Sequence, residues 1–158
     1  MLGTVLVGIG LSAPQVTQAQ SSAVWVSTRV EGQCRVTGSR LEFGTYNPIG
    51  AHATSPLDAE SVFEVQCTPG SRVKVGLEPG LNAVSGERQL AEIGGQGRLQ
   101  YSLYQDTGRS QIWTTSDVRA IEGFGAVPIR VRVFGRIPQG QDVPVGDYED
   151  SVLIVVKF

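Results

Sequence analysis

The 158-residue sequence has few of the side chains on which most enzymes and metal sites depend. It contains one histidine, two cysteines and one methionine, and neither a CxxC nor an HExxH motif is present. A structural zinc site needs four ligands, mostly Cys and His, and histidine is the commonest general acid or base. The sequence therefore predicts a protein that is not an enzyme, binds no metal and uses no cofactor.

Charge is also scarce, and it is balanced. Charged residues make up 18% of the chain, and 13 Lys and Arg stand against 15 Asp and Glu, for a net charge of -2. Soluble domains average about 25% charged residues. Because the basic residues are scattered along the sequence, no stripe that could follow a phosphate backbone is visible. We therefore expect no nucleic-acid partner.

The first 28 residues contain no charged side chain at all. Residues 2–11 consist of Leu, Val, Ile, Gly and one Thr, and small residues stand at Thr17 and Ala19. The apolar run has the length of a signal-peptide core and is shorter than the roughly 20 residues of a membrane span. A buried first strand or helix is disfavoured by the glycines at 3, 8 and 10. We predict a signal peptide over residues 1–19, export of the mature chain and no stable membrane insertion.

Export changes how the two cysteines are interpreted. Cys34 and Cys67 have no candidate metal partners, and pairs of this kind in oxidising compartments form disulfides. The prediction is a Cys34–Cys67 disulfide, and two unpaired buried thiols are the alternative.

Glycine is the abundant residue, and the hydrophobic pattern beyond the leader has a period of two. The chain has 20 glycines, about 13% against a usual 7% or so. Alternating apolar residues predict half-buried antiparallel strands, and turn-forming clusters separate them. The alternating sets are Phe63, Val65 and Cys67; Val73, Val75 and Leu77; Leu99, Tyr101 and Leu103; and Ile129, Val131 and Val133. Short strands at this spacing, with two cysteines, predict an all-β sandwich of immunoglobulin-like size.

The two ends of the predicted mature chain show the same alternation. Near the N-terminus, the side chains of one parity are Val24, Val26, Thr28 and Val30. At the C-terminus, the side chains of one parity are Val152, Ile154, Val156 and Phe158, and the chain stops there. A sheet that ends on an apolar strand leaves an edge with unpaired backbone groups. We expect that edge to need a partner strand.

Several motifs resemble those of the spore coat protein U family. The C-terminal block comprises residues 133–141 (VFGRIPQGQ), 144–152 (PVGDYEDSV) and 155–158 (VVKF). Upstream, in the order seen in that family, are residues 32–34 (GQC), 41–44 (LEFG), 65–67 (VQC) and 99–104 (LQYSLY). The resemblance covers essentially the whole predicted mature chain. Members of the family resemble subunits of archaic chaperone-usher pili of Gram-negative bacteria.

The resemblance implies an incomplete immunoglobulin-like β-sandwich that lacks its final strand. A periplasmic chaperone would first donate a strand, and the N-terminal extension of a self or sibling pilus subunit would then replace it at an outer-membrane usher. The extension would be residues 20–33 and the domain residues 34–158. Val24, Val26, Thr28 and Val30 would be the donor side chains. The acceptor groove would include Val152, Ile154, Val156 and Phe158, with Ile129, Val131 and Val133 as further candidates.

The function implied is that of a structural subunit of a secreted surface fibre or coat, with a role in adhesion and biofilm formation. The alternative is a secreted adhesin or carbohydrate-binding module that uses its loops. A tip adhesin would ordinarily carry a second domain and need no donor segment. The donor pattern in a single-domain chain therefore favours the structural subunit.

Overall fold

The computed structural model describes residues 24–38 and 40–158. The predicted signal peptide and its cleavage position lie outside the described residues. The chain divides into two compact units, Met1–Val30 and Glu31–Phe158. All regular secondary structure of the described residues belongs to the second unit. The predicted boundary between extension and domain at residues 33 and 34 stays a prediction.

The second unit is all-β, as the alternating pattern predicts. Apart from a short 3-10 turn at Ala51–Ala53, its regular structure in the described residues is ten strands. They are β1 (Cys34–Thr37), β2 (Leu57–Cys67), β3 (Arg72–Leu77), β4 (Gln89–Glu92), β5 (Arg98–Gln100), β6 (Ser102–Tyr104), β7 (Arg119–Glu122), β8 (Ile129–Ile137), β9 (Tyr148–Glu149) and β10 (Ile154–Lys157). Among the described residues no helix is long and apolar enough to cross a membrane.

The strands form two larger antiparallel sheets and a small third one. The four-stranded sheet has the order β1-β2-β8-β6, and the larger three-stranded sheet has the order β10-β3-β7. The small sheet has the order β5-β4-β9. The longest ladder joins β2 to β8, from the Leu57 and Ile137 pair to the Val65 and Ile129 pair. This arrangement leaves β10 and β7 as the two edges of the larger three-stranded sheet.

The core lies between the inward faces of the two larger sheets. Phe63 and Val65 on β2, Val75 on β3 and Val131 on β8 are buried, which confirms the period-two prediction for these strands. Trp113 is fully buried among them, and its indole N–H donates to the carbonyl of Val75 at 2.9 Å. A buried tryptophan with a satisfied N–H supplies a large part of the packing without a polar penalty.

The predicted disulfide is confirmed. Cys34 on β1 and Cys67 at the end of β2 are direct cross-strand partners, and their sulfur atoms are bonded. The two bonded cysteines are 33 positions apart in the sequence. In the chain-entropy description, a loop of that length stabilises the folded state by about 3 to 4 kcal/mol. The bond holds the short β1 strand at the edge of its sheet.

Candidate functional site

An apolar cleft of about 330 Å³ opens between the two larger sheets, beside the last strand. Its floor consists of inward-facing side chains from both larger sheets, together with Leu90 on β4 of the small sheet and Tyr101, which lies between β5 and β6. The floor residues are Phe63, Leu77, Leu90, Tyr101, Leu103 and Val133. A cleft that opens onto apolar core side chains is a candidate site for a partner or ligand. The polar groups around it are Arg40, Ser61, Asp150 and Ser151.

Two chain segments form the walls of the cleft. One wall includes Leu41 and Phe43, which are half-buried while Glu42 between them is exposed. The Phe43 ring meets Tyr101 edge to face at a centroid distance of 6.1 Å. The other wall includes Val152, just before β10, and Ile154, the first residue of β10. Neither Leu41 nor Phe43 lies in a strand, so the main chain of this wall is not part of a β-ladder.

The backbone of β10 is paired on one side only. Within the described part of the chain, β10 pairs with β3 and with no other strand. The N–H of Glu78 donates to the carbonyl of Leu153 at 3.0 Å, which identifies residues 78 and 153 as a hydrogen-bonded pair. Because such pairs alternate in an antiparallel ladder, Ile154 and Val156 direct their N–H and C=O groups away from β3. These four groups can hydrogen-bond an added strand.

Asp150, which lines the cleft, is the centre of a cluster of polar contacts. The Tyr101 hydroxyl donates to Oδ2 of Asp150 at 2.7 Å, and the main-chain N–H of Asn82 donates to Oδ1 at 3.1 Å. Burial raises the pKa of Tyr101, and the bonded carboxylate raises it further. The hydroxyl therefore stays a proton donor at all physiological pH values. The cluster anchors the segment that leads into Val152 and Ile154.

Arg88 is a buried cation that hydrogen-bonds the main chain at Leu77, a residue of the cleft floor. The residue is only 6% exposed. Its guanidinium group donates hydrogen bonds to the carbonyls of Leu77 (3.1 Å), Glu78 (2.8 Å) and Trp113 (2.8 Å). Burial lowers the pKa of this guanidinium, while Tyr101 and Asp150 act in the opposite direction. The planar fork of arginine satisfies carbonyls from two segments at once. It thereby joins the end of β3, where Leu77 lines the cleft, to the chain at Trp113.

The predicted acceptor residues occupy different places. Val152 and Ile154 line the cleft, and Val156 is half-buried against the core. Phe158 is 72% exposed and lies outside the cleft lining. Of the further candidates, Val133 lines the cleft, whereas Val131 is fully buried and Ile129 is half-buried.

The predicted donor residues lie in the first unit. Val24, Val26 and Val30 are 87%, 90% and 76% exposed, and Thr28 is exposed as well. Residues 24–33 have no regular secondary structure. The segment thus presents three valines to solvent within seven residues.

Sequence reasoning did not identify the Leu41 and Phe43 wall, the Tyr101–Asp150 bond or Arg88. The alternation of Leu41, Glu42 and Phe43 is a signal for the first of these, but it is only three residues long. The bond between Tyr101 and Asp150 and the role of Arg88 depend on contacts between residues 10 to 49 positions apart. No local pattern marks such contacts.

Comparison with known proteins finds a matching family and a related protein. Residues 20–155 match the Spore Coat Protein U domain. The chain is also 30% identical over 142 residues to Protein U of Myxococcus xanthus, a match that covers 82% of this chain and 79% of the relative.

Two solved structures share the fold. A chain in the CsuC–CsuE chaperone–tip adhesion subunit pre-assembly complex, from the archaic chaperone-usher Csu pili of Acinetobacter baumannii, aligns with a TM-score of 0.55 at 21% identity. The match covers 82% of this chain but only 40% of the matched chain. A structure of a chaperone-usher pilus aligns with a TM-score of 0.50 at 17% identity, covering 92% of this chain and 99% of the other. The fold is an immunoglobulin-like β-sandwich with open sheets, and the chain belongs to the Spore Coat Protein U domain family.

Proposed function

We propose that this protein is a structural subunit of a secreted surface fibre or coat, and that its subunits are joined by donor-strand exchange. Residues 24–30 of one subunit insert into the cleft of the next and pair with the free edge of β10. The observation that carries the proposal is the apolar cleft beside an unpaired strand edge. Such an edge is a template for strand addition, in which main-chain hydrogen bonds give affinity and alternate side chains give specificity.

The dimensions of the two partners agree. The donor segment from Val24 to Val30 and the C-terminal segment from Val152 to Phe158, of which Val152 and Ile154 line the cleft, each span seven residues, or about 20 Å when extended. Every second side chain of the inserted strand faces the cleft floor. Burial of three valines and one threonine methyl contributes about 5 to 8 kcal/mol before the cost of ordering the segment. Hydrogen bonds to Ile154 and Val156 add to this.

The geometry of the contact determines the product. The donor segment and the cleft are different surfaces of one chain, so the interface is heterologous. A heterologous contact that does not close into a ring produces an open filament. A fibre or a continuous coat is therefore the expected assembly, and adhesion or biofilm formation its biological role.

Before assembly, the cleft needs a temporary cover. The structural relatives include a chaperone–tip adhesion subunit pre-assembly complex. By analogy, a periplasmic chaperone holds this subunit by adding its own strand at β10, and an outer-membrane usher exchanges that strand for residues 24–30 of a self or sibling subunit. The route runs through the periplasm to the surface of a Gram-negative cell.

The substitution Val26→Asp tests the proposal through side-chain parity. A carboxylate at position 26 would be buried in the apolar cleft, which costs several kcal/mol, so we expect fibre formation to be lost. Chaperone binding should be retained, because it uses the unaltered cleft. Fibres are scored by electron microscopy and sedimentation, and chaperone binding by co-purification.

Ser27→Asp is the matched control. Residue 27 has the opposite parity and would face solvent in the inserted strand, so the same charge there should leave assembly intact. Normal fibres from the Val26→Asp chain, or equal loss from both variants, would refute the proposed insertion.

A further inference from the structure

A second pocket, of about 370 Å³, shares no lining residue with the apolar cleft. Arg119 at the start of β7 and Arg130 and Arg132 on β8 line it, together with the buried ring of Phe134. The loop that follows β6 closes its side with Gln105 and Thr107. Since β7 and β10 are opposite edges of their sheet, this arginine pocket stays open when a strand is added at β10.

The guanidinium groups of the arginine pocket are only partly neutralised. Within residues 24–38 and 40–158, no salt bridge or side-chain hydrogen bond joins Arg119 or Arg130 to another group. Arg132 bonds Oε2 of Glu60 at 2.7 Å and lies over the Phe134 ring at 5.1 Å from its centroid. Phe134 and Glu60 thus hold Arg132 in place, while two further cations remain available in a chain whose net charge is -2.

The one carboxylate that lines the arginine pocket is occupied by its own loop. Oδ1 of Asp106 accepts from the N–H of Gln111 at 2.8 Å and from the N–H of Ser110 at 3.0 Å. Oδ2 accepts from the Ser110 hydroxyl at 2.9 Å. These bonds, first that from Gln111, lower the pKa of Asp106. Asp106 is therefore a loop-stabilising anion that leaves the guanidinium groups to other partners.

We propose that the arginine pocket binds a carboxylate-bearing sugar of an acidic polysaccharide. The planar guanidinium presents paired N–H donors that match the two oxygens of a carboxylate. Gln105 and Thr107 add an amide and a hydroxyl, which suit the sugar hydroxyls next to that carboxylate. The volume lies within the range of about 300 to 1,000 Å³ typical of small-ligand pockets.

The charge distribution favours a polysaccharide over a nucleic acid. Nucleic-acid binding depends on neutralising a series of closely spaced phosphates. Here three arginines line one pocket, the other basic residues are scattered along the sequence, and the chain as a whole is acidic. A polymer with one carboxylate per sugar can place a single ring in the arginine pocket without bringing a dense line of charge against the protein.

Binding of a defined oligogalacturonate to the purified full chain tests this proposal. We expect saturable binding by calorimetry, absent for a neutral galactose oligomer of equal length. The double variant Arg119→Gln/Arg130→Gln should bind at least about 10-fold more weakly, because two charge-assisted hydrogen bonds are lost. Arg130→Lys keeps the charge but loses the paired donors, so its affinity should fall between that of the parent chain and that of the double variant.

Arg35→Gln/Arg98→Gln is the control, since it removes the same charge from exposed arginines outside the arginine pocket. It should bind oligogalacturonate like the parent. Three outcomes would overturn the proposal: no binding by the parent chain, equal weakening in both double variants, or tighter binding of an oligothymidylate than of oligogalacturonate. Fibre formation is unaffected in either case, so the result is independent of the donor-strand proposal.

Discussion

A chain extended after Phe158 by a short turn and a second copy of residues 24–30 is expected to be a monomer with a strongly raised unfolding temperature. The turn returns the added segment along the free edge of β10, where Ile154 and Val156 supply hydrogen-bonding groups. Its valines then cover the cleft floor in the same molecule. We expect a gain on the order of 3 kcal/mol or more, which is about 10 °C in Tm for a domain of this size.

The extended chain should not polymerise, because its own added strand occupies the cleft. An intramolecular strand has a far higher effective concentration than the segment of another subunit, so it fills the cleft first. The control is an extension in which the three valines of the copy are replaced by serine. It should neither raise the Tm nor prevent assembly. An equal rise from both extensions, or continued polymerisation of the valine extension, would show that the cleft does not receive these side chains.

The second large effect is expected at Arg88. Removal of its side chain in Arg88→Ala leaves the buried carbonyls of Leu77 and Trp113 without their donor. An unsatisfied buried polar group costs roughly 1 to 3 kcal/mol, so the variant should lose about 3 to 5 kcal/mol of unfolding free energy. Domains of this kind are stable by only about 5 to 15 kcal/mol, so the variant would lose a large share of its stability. Urea unfolding of the monomeric, extended chain measures the change.

Arg98→Ala provides the comparison for Arg88→Ala. Arg98 is exposed and donates one hydrogen bond to the carbonyl of Gly97 at 2.9 Å. Loss of an exposed side chain should change the unfolding free energy by about 0.5 kcal/mol at most. If the two alanine variants are equally stable, Arg88 does not support the cleft in the way its bonds indicate.

The parts of the fold that were predictable from the sequence are those where burial follows a local period. Val73, Val75 and Leu77 alternate because only one face of β3 meets the core at those positions, and this pattern is visible in the residues themselves. The disulfide was predictable because only two cysteines exist. The wall formed by Leu41 and Phe43 was not, since it lies outside any strand and has too few residues for a period to be read.

The two arginine features were hidden for a different reason. Arg88 follows Glu87 in the sequence, but its partners in the fold are carbonyl groups, which carry no sequence signal. Arg119 and Arg130 are scattered in the sequence, yet β7 and β8, from different sheets, bring them to one pocket. Contacts that arise from packing two sheets together depend on the whole fold rather than on any local pattern.

Amide hydrogen exchange at Ile154 and Val156 tests the central claim most directly. In the assembled wild-type chain, strand addition at β10 predicts slow exchange of both amides, and in chains prevented from assembling by Val26→Asp it predicts fast exchange. The amide of Val155, which faces β3, should be protected in both states. Fast exchange of Ile154 and Val156 within intact fibres would contradict the account, because the fibres would then form without a strand at this edge.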